Sequence, residues 1–234
     1  MMNEIKALRT ISLYIFLIPL ISINLCLLIS TNSYLFDDTI FKVDQIGISK
    51  FTIPYIDGSL SISRASRTYP QYLIFKPAMV LTSVLLCFYW VKNNSVVNSF
   101  KNSFGKNNAF MIFGIISAFF LVIHSLFLGV ETDVRVFKFL RRVVLLSFIV
   151  FEIIAQALLV LSFFKLKEKI RDFYSLRILK VKIFLVSFLI IVAILSIPLL
   201  IKTGNVHFKH SLEWNYFIGV ILFYLLTRLF WKKV

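Results

Sequence analysis

The sequence predicts an all-α integral membrane protein, a bundle of six transmembrane helices with a structured first outer loop. Three observations predict this class: six long apolar stretches, 59% hydrophobic residues, and basic residues gathered at the ends of the stretches. About 20 apolar residues at 1.5 Å rise per residue cross a hydrocarbon core of roughly 30 Å. A soluble protein of 234 residues could not cover so much apolar surface.

The six predicted spans share an apolar core with polar or basic flanks. They cover residues 11–30, 72–91, 109–130, 143–164, 183–201 and 214–231. The first span follows Lys6 and Arg9, as in a signal peptide, but it is too long and lacks a clear small-residue cleavage site. We therefore expect a permanent helix, and one six-span domain over residues 1–234.

Residues 31–71 form the only long connection, the predicted outer loop. Pro54 fixes the backbone and Gly58 frees it, which predicts a turn between them. The alternation from Ser59 to Ser63 predicts a short strand or extended segment. In a loop that extends into water, Tyr55 and Leu60 would expose apolar surface. We therefore expect this loop to pack on the bundle as a cap.

Charge predicts the orientation. Fifteen of the 26 Lys and Arg residues fall on the side of the two termini, and eleven on the other side. Seven of the fifteen lie in the fourth loop, 165–182, which is either an ordinary positive-inside loop or a segment along the inner leaflet. Both termini are therefore predicted to be cytoplasmic. The net charge of +15 fits anionic lipid better than nucleic acid, which we exclude as a partner.

Glu152 is the strongest single candidate for a functional residue. A carboxylate inside a span costs roughly 2.5–3.5 kcal/mol unless it is protonated, paired or hydrated. Gln156 follows one turn later on the same face. The pair indicates either a polar site inside the bundle or a hydrogen bond that fixes helix packing. His124, in the third span, is predicted at a depth similar to that of Glu152, where the two could pair.

Two further groups lie near the outer face. Arg64 and Arg67 flank a Ser-rich segment and could hold a lipid phosphate or simply anchor the loop at the interface. His207, His210 and Glu213 have a spacing suited to zinc, but no second group of ligands accompanies them. We therefore expect no metal site and no cofactor.

Three short motifs carry a resemblance to a known family. They are Pro54-Tyr55-Ile56 followed by Ser residues, Pro70 and Phe75; the span exit Phe88-Tyr89-Trp90-Val91-Lys92; and Glu213-Trp214 opening the sixth span. In these features the chain resembles the six-span Frag/DRAM/Sfk family, with its GPI-remodelling and autophagy-modulator relatives. The resemblance implies the six-span architecture and adds Trp214 to the candidate site residues.

The leading functional hypothesis is a multi-pass membrane protein that binds lipids or protein partners, in membrane organisation or lipid handling. Membrane lipids, anionic head groups among them, are the expected partners. One alternative is an enzyme or factor acting on lipid head groups at the outer face through Arg64, Arg67, His124, Glu152 and Glu213. Another is a small transporter. The sequence contains no nucleophilic triad or phosphate-cradling glycine loop, so a non-enzymatic role leads.

The orientation is testable by cysteine labelling. Cysteines introduced at Ser49 and Ser99 should react with a membrane-impermeant reagent from opposite sides, Ser49 from outside, because the positive-inside rule places them so. Labelling of both from one side would contradict the predicted topology.

Overall fold

The computed structural model describes residues 2–36, 39–42, 52–100, 108–130, 135–201 and 204–232. Its helices are α1 (Met2–Thr31), α2 (Pro54–Asp57), α3 (Ile62–Ser66), α4 (Gln71–Ser99), α5 (Ala109–Phe127), α6 (Arg135–Lys165), α7 (Leu176–Ile201) and α8 (Val206–Phe230). A short 3₁₀ turn occupies Ser33–Phe36. Six of the helices are long and apolar enough to cross a membrane. Helices are expected, because lipid cannot satisfy backbone groups. The predicted six-helix membrane bundle is confirmed.

The six long helices form a closed ring in chain order. α1 packs against α4 and α8, and between them α4, α5, α6, α7 and α8 each pack against the next. Neighbouring helices in the ring run in opposite directions. The beginning of α1 therefore lies beside the second half of α4, where Glu4 and Lys92 form a salt bridge of 2.8 Å. Both chain ends thus lie at one end of the bundle, here named the terminal end. The opposite end carries α2 and α3 and is named the cap end.

Large aromatic side chains fill the ring. Gly114 of α5 lets α4 approach closely, because a Cβ there would come within 2.3 Å of the Trp90 indole. At the terminal end the Phe163 ring lies 4.9 Å from Phe230 and 5.5 Å from Trp231, measured between centroids. These three side chains are almost fully buried. The interior of the bundle is therefore closed at this end by packed aromatic rings.

The helices extend beyond the apolar spans that the sequence predicts. α4 runs to Ser99 through a polar segment taken as loop, and α7 begins at Leu176, inside the predicted fourth loop 165–182. The prediction of a loop over residues 176–182 is wrong. Hydropathy marks only the part of a helix that lies in hydrocarbon, while Lys, Arg and Leu favour continued helix beyond it.

The remainder of the fourth loop packs on the protein. Leu166, Ile170 and Tyr174 are buried. The Tyr174 and Trp231 backbones form a bridge, and the Lys232 amide donates to the Phe173 carbonyl at 3.0 Å. The apolar side of this loop therefore faces the bundle and not the lipid.

The cap begins with α2, a single turn that confirms the turn expected between Pro54 and Gly58. The predicted strand or extended segment over Ser59–Ser63 is wrong from Ile62 on, where the helix α3 (Ile62–Ser66) begins, although the backbone of Ser61 before it is extended. The Ser61 side chain accepts a hydrogen bond from the Arg64 amide at 3.2 Å and so caps this helix. Capping by Ser explains the error, because a serine that starts a helix fits an alternating pattern equally well.

Asp57 orders the polar edge of the cap. Its carboxylate accepts hydrogen bonds from the Ser59 amide at 2.9 Å, the Ile53 amide at 3.0 Å and the Thr52 hydroxyl. These bonds lower the pKa of the Asp57 carboxyl to about 2. The carboxyl therefore stays ionised and keeps residues 52–59 in one conformation.

Gly58 permits the closest contact between cap and bundle. Its φ is 59°, and a Cβ at this position would lie 1.8 Å from the backbone oxygen of His207 at the start of α8. Only glycine combines this backbone conformation with this approach. The predicted cap is thus a docked structure over residues 52–70.

Gly58→Ala should release the cap, because the added methyl cannot fit against α8. We expect limited proteolysis in micelles to cut within residues 52–70 at least about tenfold faster than in the native protein. A clash of about 1.4 kcal/mol or more would raise the population of the undocked cap by that factor. Gly204→Ala is the matched control: its φ is also positive, but no atom of the described residues lies within 4 Å of the added Cβ. Equal cleavage rates for the two variants would contradict the proposed docking.

Candidate functional site: a polar network inside the bundle

Glu152 lies on α6 with 1% of its surface exposed. Its carboxylate accepts hydrogen bonds from the Ser117 hydroxyl of α5 at 2.6 Å, from the Gln156 amide at 3.0 Å, and from the Tyr224 hydroxyl of α8. The Gln156 amide also donates to the Val220 carbonyl at 3.3 Å. All three donors to the carboxylate are neutral, and hydrogen bonds to a charged acceptor are the stronger kind. The site is therefore built to hold a carboxylate.

Lys182 of α7 is fully buried. Its ammonium donates to the Thr227 hydroxyl at 2.7 Å and lies 3.8 Å from the centroid of the Phe223 ring. Thr227 also bonds the Tyr89 hydroxyl at 3.0 Å and donates to the Phe223 carbonyl. Since a hydroxyl has one proton and two lone pairs, Thr227 accepts from both Lys182 and Tyr89. A cation–π contact supplements the single hydrogen bond of the ammonium.

Two tyrosines connect these clusters. The Tyr89 and Tyr224 rings meet edge to face with centroids 4.9 Å apart. Tyr224 and Thr227 are three residues apart on α8, so they share a face and are separated by about 4.5 Å of helix rise. The Glu152–Lys182 network, as named here, comprises Tyr89, Ser117, Glu152, Gln156, Lys182, Tyr224 and Thr227. It joins α4, α5, α6, α7 and α8.

The network buries two side chains that ionise with opposite signs, the Glu152 carboxyl and the Lys182 amine. A single charge at the centre of a span costs roughly 2.5–3.5 kcal/mol, and two uncompensated charges would cost about twice as much. Glu152 and Lys182 do not contact one another: neutral side chains, Tyr224 and Thr227 among them, stand between them and supply their hydrogen bonds. Their stabilisation in the interior therefore comes from these neutral hydrogen-bond partners and, for Lys182, from the cation–π contact with Phe223.

The structure brings together only part of the predicted site. Glu152 and Gln156 face the interior, as expected, and the Gln156 amide also donates to the Glu152 carboxylate. His124 is buried on α5, seven residues or about two turns beyond Ser117. The hydrogen bonds to Glu152 come from Ser117, Gln156 and Tyr224, so the suggested pairing of His124 with Glu152 is not formed.

The other candidates lie in the cap interface. The Trp214 indole is fully buried and donates to the Leu60 carbonyl at 2.7 Å. The Glu213 carboxylate accepts from the backbone amides of Ile62 and Ser63. The family-like pair Glu213-Trp214 thus fastens the cap to α8.

Arg64 is exposed on α3, and Arg67 follows that helix. The Arg67 carbonyl packs on Gly129, where a Cβ would come within 2.6 Å. His210, considered as a metal ligand, instead places its Nδ1 atom 3.0 Å from the Gly58 carbonyl. Within the described residues no group of three metal-ligating side chains forms. The Arg67 backbone and the His210 ring therefore lie at contacts between cap and bundle, whereas Arg64 is exposed.

Sequence reasoning missed Lys182 and the hydroxyl groups of the network. Lys182 was assigned to the basic fourth loop, since it stands beside Lys180 at the edge of an apolar run. In the sequence Tyr89 stands out only as part of the aromatic end of the second span, and nothing there indicates its hydrogen bond to Thr227. The available signal was helical periodicity: Tyr224 and Thr227 share one face of the sixth span. The partners of that face come from other helices, which one sequence does not reveal.

A second feature is a groove of about 360 Å³ at the terminal end, between the fourth loop and α7. We name it the basic groove. Its charged lining consists of Lys167, Arg171, Lys180 and Glu168, and its other lining residues are Phe164, Tyr174, Leu176, Leu179 and Ile183. Burial, together with the Glu168 carboxylate, raises the pKa of the Tyr174 phenol, which therefore stays neutral.

The fold and network define the class as a multi-pass helical membrane protein with a glutamate and a lysine buried in one polar network. Comparison with protein-family models, with curated proteins and with solved structures gave no match. The interpretation of the site accordingly depends on its own geometry.

Lys182→Met should destabilise the bundle, because Thr227 would lose the hydrogen bond from the ammonium and Phe223 its cation–π contact. We expect a loss of about 2 kcal/mol in the free energy of unfolding in mixed micelles. Lys180→Met, two residues away on an exposed side chain, is the control and should change it by no more than about 0.5 kcal/mol. A similar effect of both substitutions would show that Lys182 has no special role.

Proposed function

We propose that this chain is a lipid-binding membrane protein of the Frag/DRAM/Sfk type, and that it holds an anionic lipid head group in the basic groove. The composition of the groove supports the proposal. Three cationic side chains, Lys167, Arg171 and Lys180, converge there against one acidic residue, Glu168. An excess of cations over a concave surface attracts phosphate.

The walls of the groove suit the acyl chains of the same ligand. Phe164 belongs to the last turn of α6, and Leu176 and Ile183 belong to the first two turns of α7. Phe164 and Ile183 therefore lie on the side of the hydrocarbon, and Lys167 and Lys180 lie farther out along the same stretches of chain. A soluble phosphate would use only the cations, whereas a lipid would use both.

The alternative of an enzyme acting at the other face receives less support. Glu213 and Trp214 use their polar groups on the backbone of the cap, and Glu152 lies inside the bundle. The orientation with both termini in the cytoplasm is also part of the proposal, and it places the basic groove at the inner leaflet, where anionic lipids are concentrated.

Binding should be measured with short-chain phosphatidylglycerol added to the protein in neutral-lipid nanodiscs. The variant Lys167→Gln/Arg171→Gln/Lys180→Gln should bind at least tenfold more weakly, because each surface cation contributes about 1 kcal/mol to attraction for anionic lipid. Short-chain phosphatidylcholine should bind poorly to either protein, and glycerol phosphate should compete only weakly.

The control is Lys165→Gln/Lys169→Gln/Arg177→Gln. It removes the same charge from exposed side chains of the same segment that do not line the groove. Equal loss of binding in both triple variants would indicate general attraction to a basic surface and would contradict a groove site. Full competition by glycerol phosphate would indicate a soluble anion as the ligand.

A further inference from the structure

The cap exposes large apolar side chains although it is docked on the bundle. Ile56 of α2 is 80% exposed and Ile40 is 83% exposed. The residues of this kind in the described part of the outer loop, named here the cap belt, are Tyr34, Leu35, Ile40, Phe41, Ile53 and Ile56. Docking uses other side chains, such as Pro54 and Leu60, which are buried. The cap belt therefore presents apolar surface to the surroundings of the protein.

Hydrogen bonds fix the height of α2 along the bundle. The Tyr55 hydroxyl donates to the Asn24 side chain of α1 at 2.9 Å. The Tyr55 carbonyl accepts from the Ser211 hydroxyl at 2.9 Å and from the Asn215 amide at 2.7 Å, both on α8. α2 therefore lies at the height of these residues, about one to two helical turns inside the ends of α1 and α8.

The terminal end supplies a reference for this height. There the Arg228 side chain donates to the Arg9 carbonyl at 3.4 Å, and basic residues at the ends of spans lie among the lipid head groups. The rise along α1 from Arg9 to Asn24 is about 22 Å, and the rise along α8 from Arg228 to Ser211 is about 25 Å. A hydrocarbon core is roughly 30 Å thick. Both helices therefore place α2 within the leaflet at the cap end, near the boundary between acyl chains and head groups.

Lys76 of α4 marks the same boundary independently. Its ammonium lies 5.3 Å from the centroid of the Tyr72 ring, one turn nearer the cap end, so the side chain extends towards the head groups. The Tyr72 ring lies 6.1 Å from that of Tyr69, and the Tyr69 ring stacks on Phe41 at 6.5 Å. The Tyr69 hydroxyl also donates to the Ile40 carbonyl at 2.9 Å. Tyrosines and a lysine at one height are typical of the membrane interface, and they hold Ile40 and Phe41 there.

The cap belt also continues the surface that α1 presents to lipid. Ile21, Leu25 and Leu28 are exposed and follow one another at helical spacing. The 3₁₀ turn just after α1 then exposes Tyr34 and Leu35. A surface continuous with the lipid-facing side of a span meets the same lipid.

We propose that the cap belt inserts into the leaflet at the cap end, where its partners are the glycerol groups and upper acyl chains of membrane lipids. Ile56 and the ionised Asp57 are adjacent and both exposed. Water would leave Ile56 uncovered and hydrocarbon would leave the Asp57 carboxylate unsolvated, whereas the interface suits both. Apolar side chains among charged neighbours bind lipid surfaces in this way. The cap belt lies at the end opposite the basic groove and does not depend on a ligand there.

Spin labelling tests the insertion on the complete protein in nanodiscs. A nitroxide is attached in Ile56→Cys or in Ser59→Cys, in a chain that carries Cys26→Ala and Cys87→Ala. Ser59 is the matched control, because it is exposed nearby on the polar edge that Asp57 orders. Oxygen concentrates in acyl chains and a nickel chelate in water, so the ratio of the two accessibilities reports insertion. We expect this ratio to be several-fold higher at position 56 than at position 59.

Ile40→Cys tests the other part of the cap belt and should show the same excess over position 59; it also serves if the label at position 56 prevents assembly. Equal ratios with high nickel accessibility would place the cap belt in water. Low accessibility to both reagents at positions 40 and 56 would mean that protein covers the cap belt, in nanodiscs a second copy of this chain. Either result would overturn the inference.

Discussion

The bundle depends on a buried polar network that links five of its six long helices through hydrogen bonds and ring contacts. Glu152 and Lys182 lie on different helices, and both reach α8, through Tyr224 and Thr227 respectively. Each charge alone would be expensive in hydrocarbon. Together with their hydroxyl partners they favour one arrangement of the ring, because sliding or rotating one helix would separate a charged group from its only bonds. Apolar side chains contribute less to this choice, because lipid tails are as apolar as the neighbouring helices.

The effect of the network on helix orientation is clearest for α7. It is the least buried of the six long helices, and its main contacts among them are with α6 and α8. Its face toward lipid is formed by apolar residues such as Phe184, Phe188 and Ile191, which are indifferent to rotation in lipid. Lys182 supplies the directional contact that this helix otherwise has mainly through the Tyr216 hydroxyl, which donates to the Leu189 carbonyl at 3.2 Å. The neighbouring Lys180 and Ile183 line the basic groove, so the same helix turn serves both features.

The sequence predicts the helices well because hydrocarbon imposes a simple rule on length and polarity. It also predicts Glu152 with Gln156, whose one-turn spacing is local, and the turn ending at Gly58. It fails for Lys182, since a lysine at the edge of an apolar run is normally at the interface. It fails for α3, where Ser61 starts a helix within an alternating pattern. The role of Trp214 in fastening the cap was hidden because its partner, the Leu60 carbonyl, is 154 residues away.

The most direct measurement is a double-mutant cycle on Glu152→Gln and Lys182→Met, following unfolding in mixed micelles. If the two charges stabilise the bundle as a unit, each single variant leaves an unpaired charge and the double variant leaves none. We expect the double variant to be more stable than the sum of the single effects predicts by at least about 1 kcal/mol. Additivity within about 0.5 kcal/mol would mean that the two residues act independently, and would contradict a shared network.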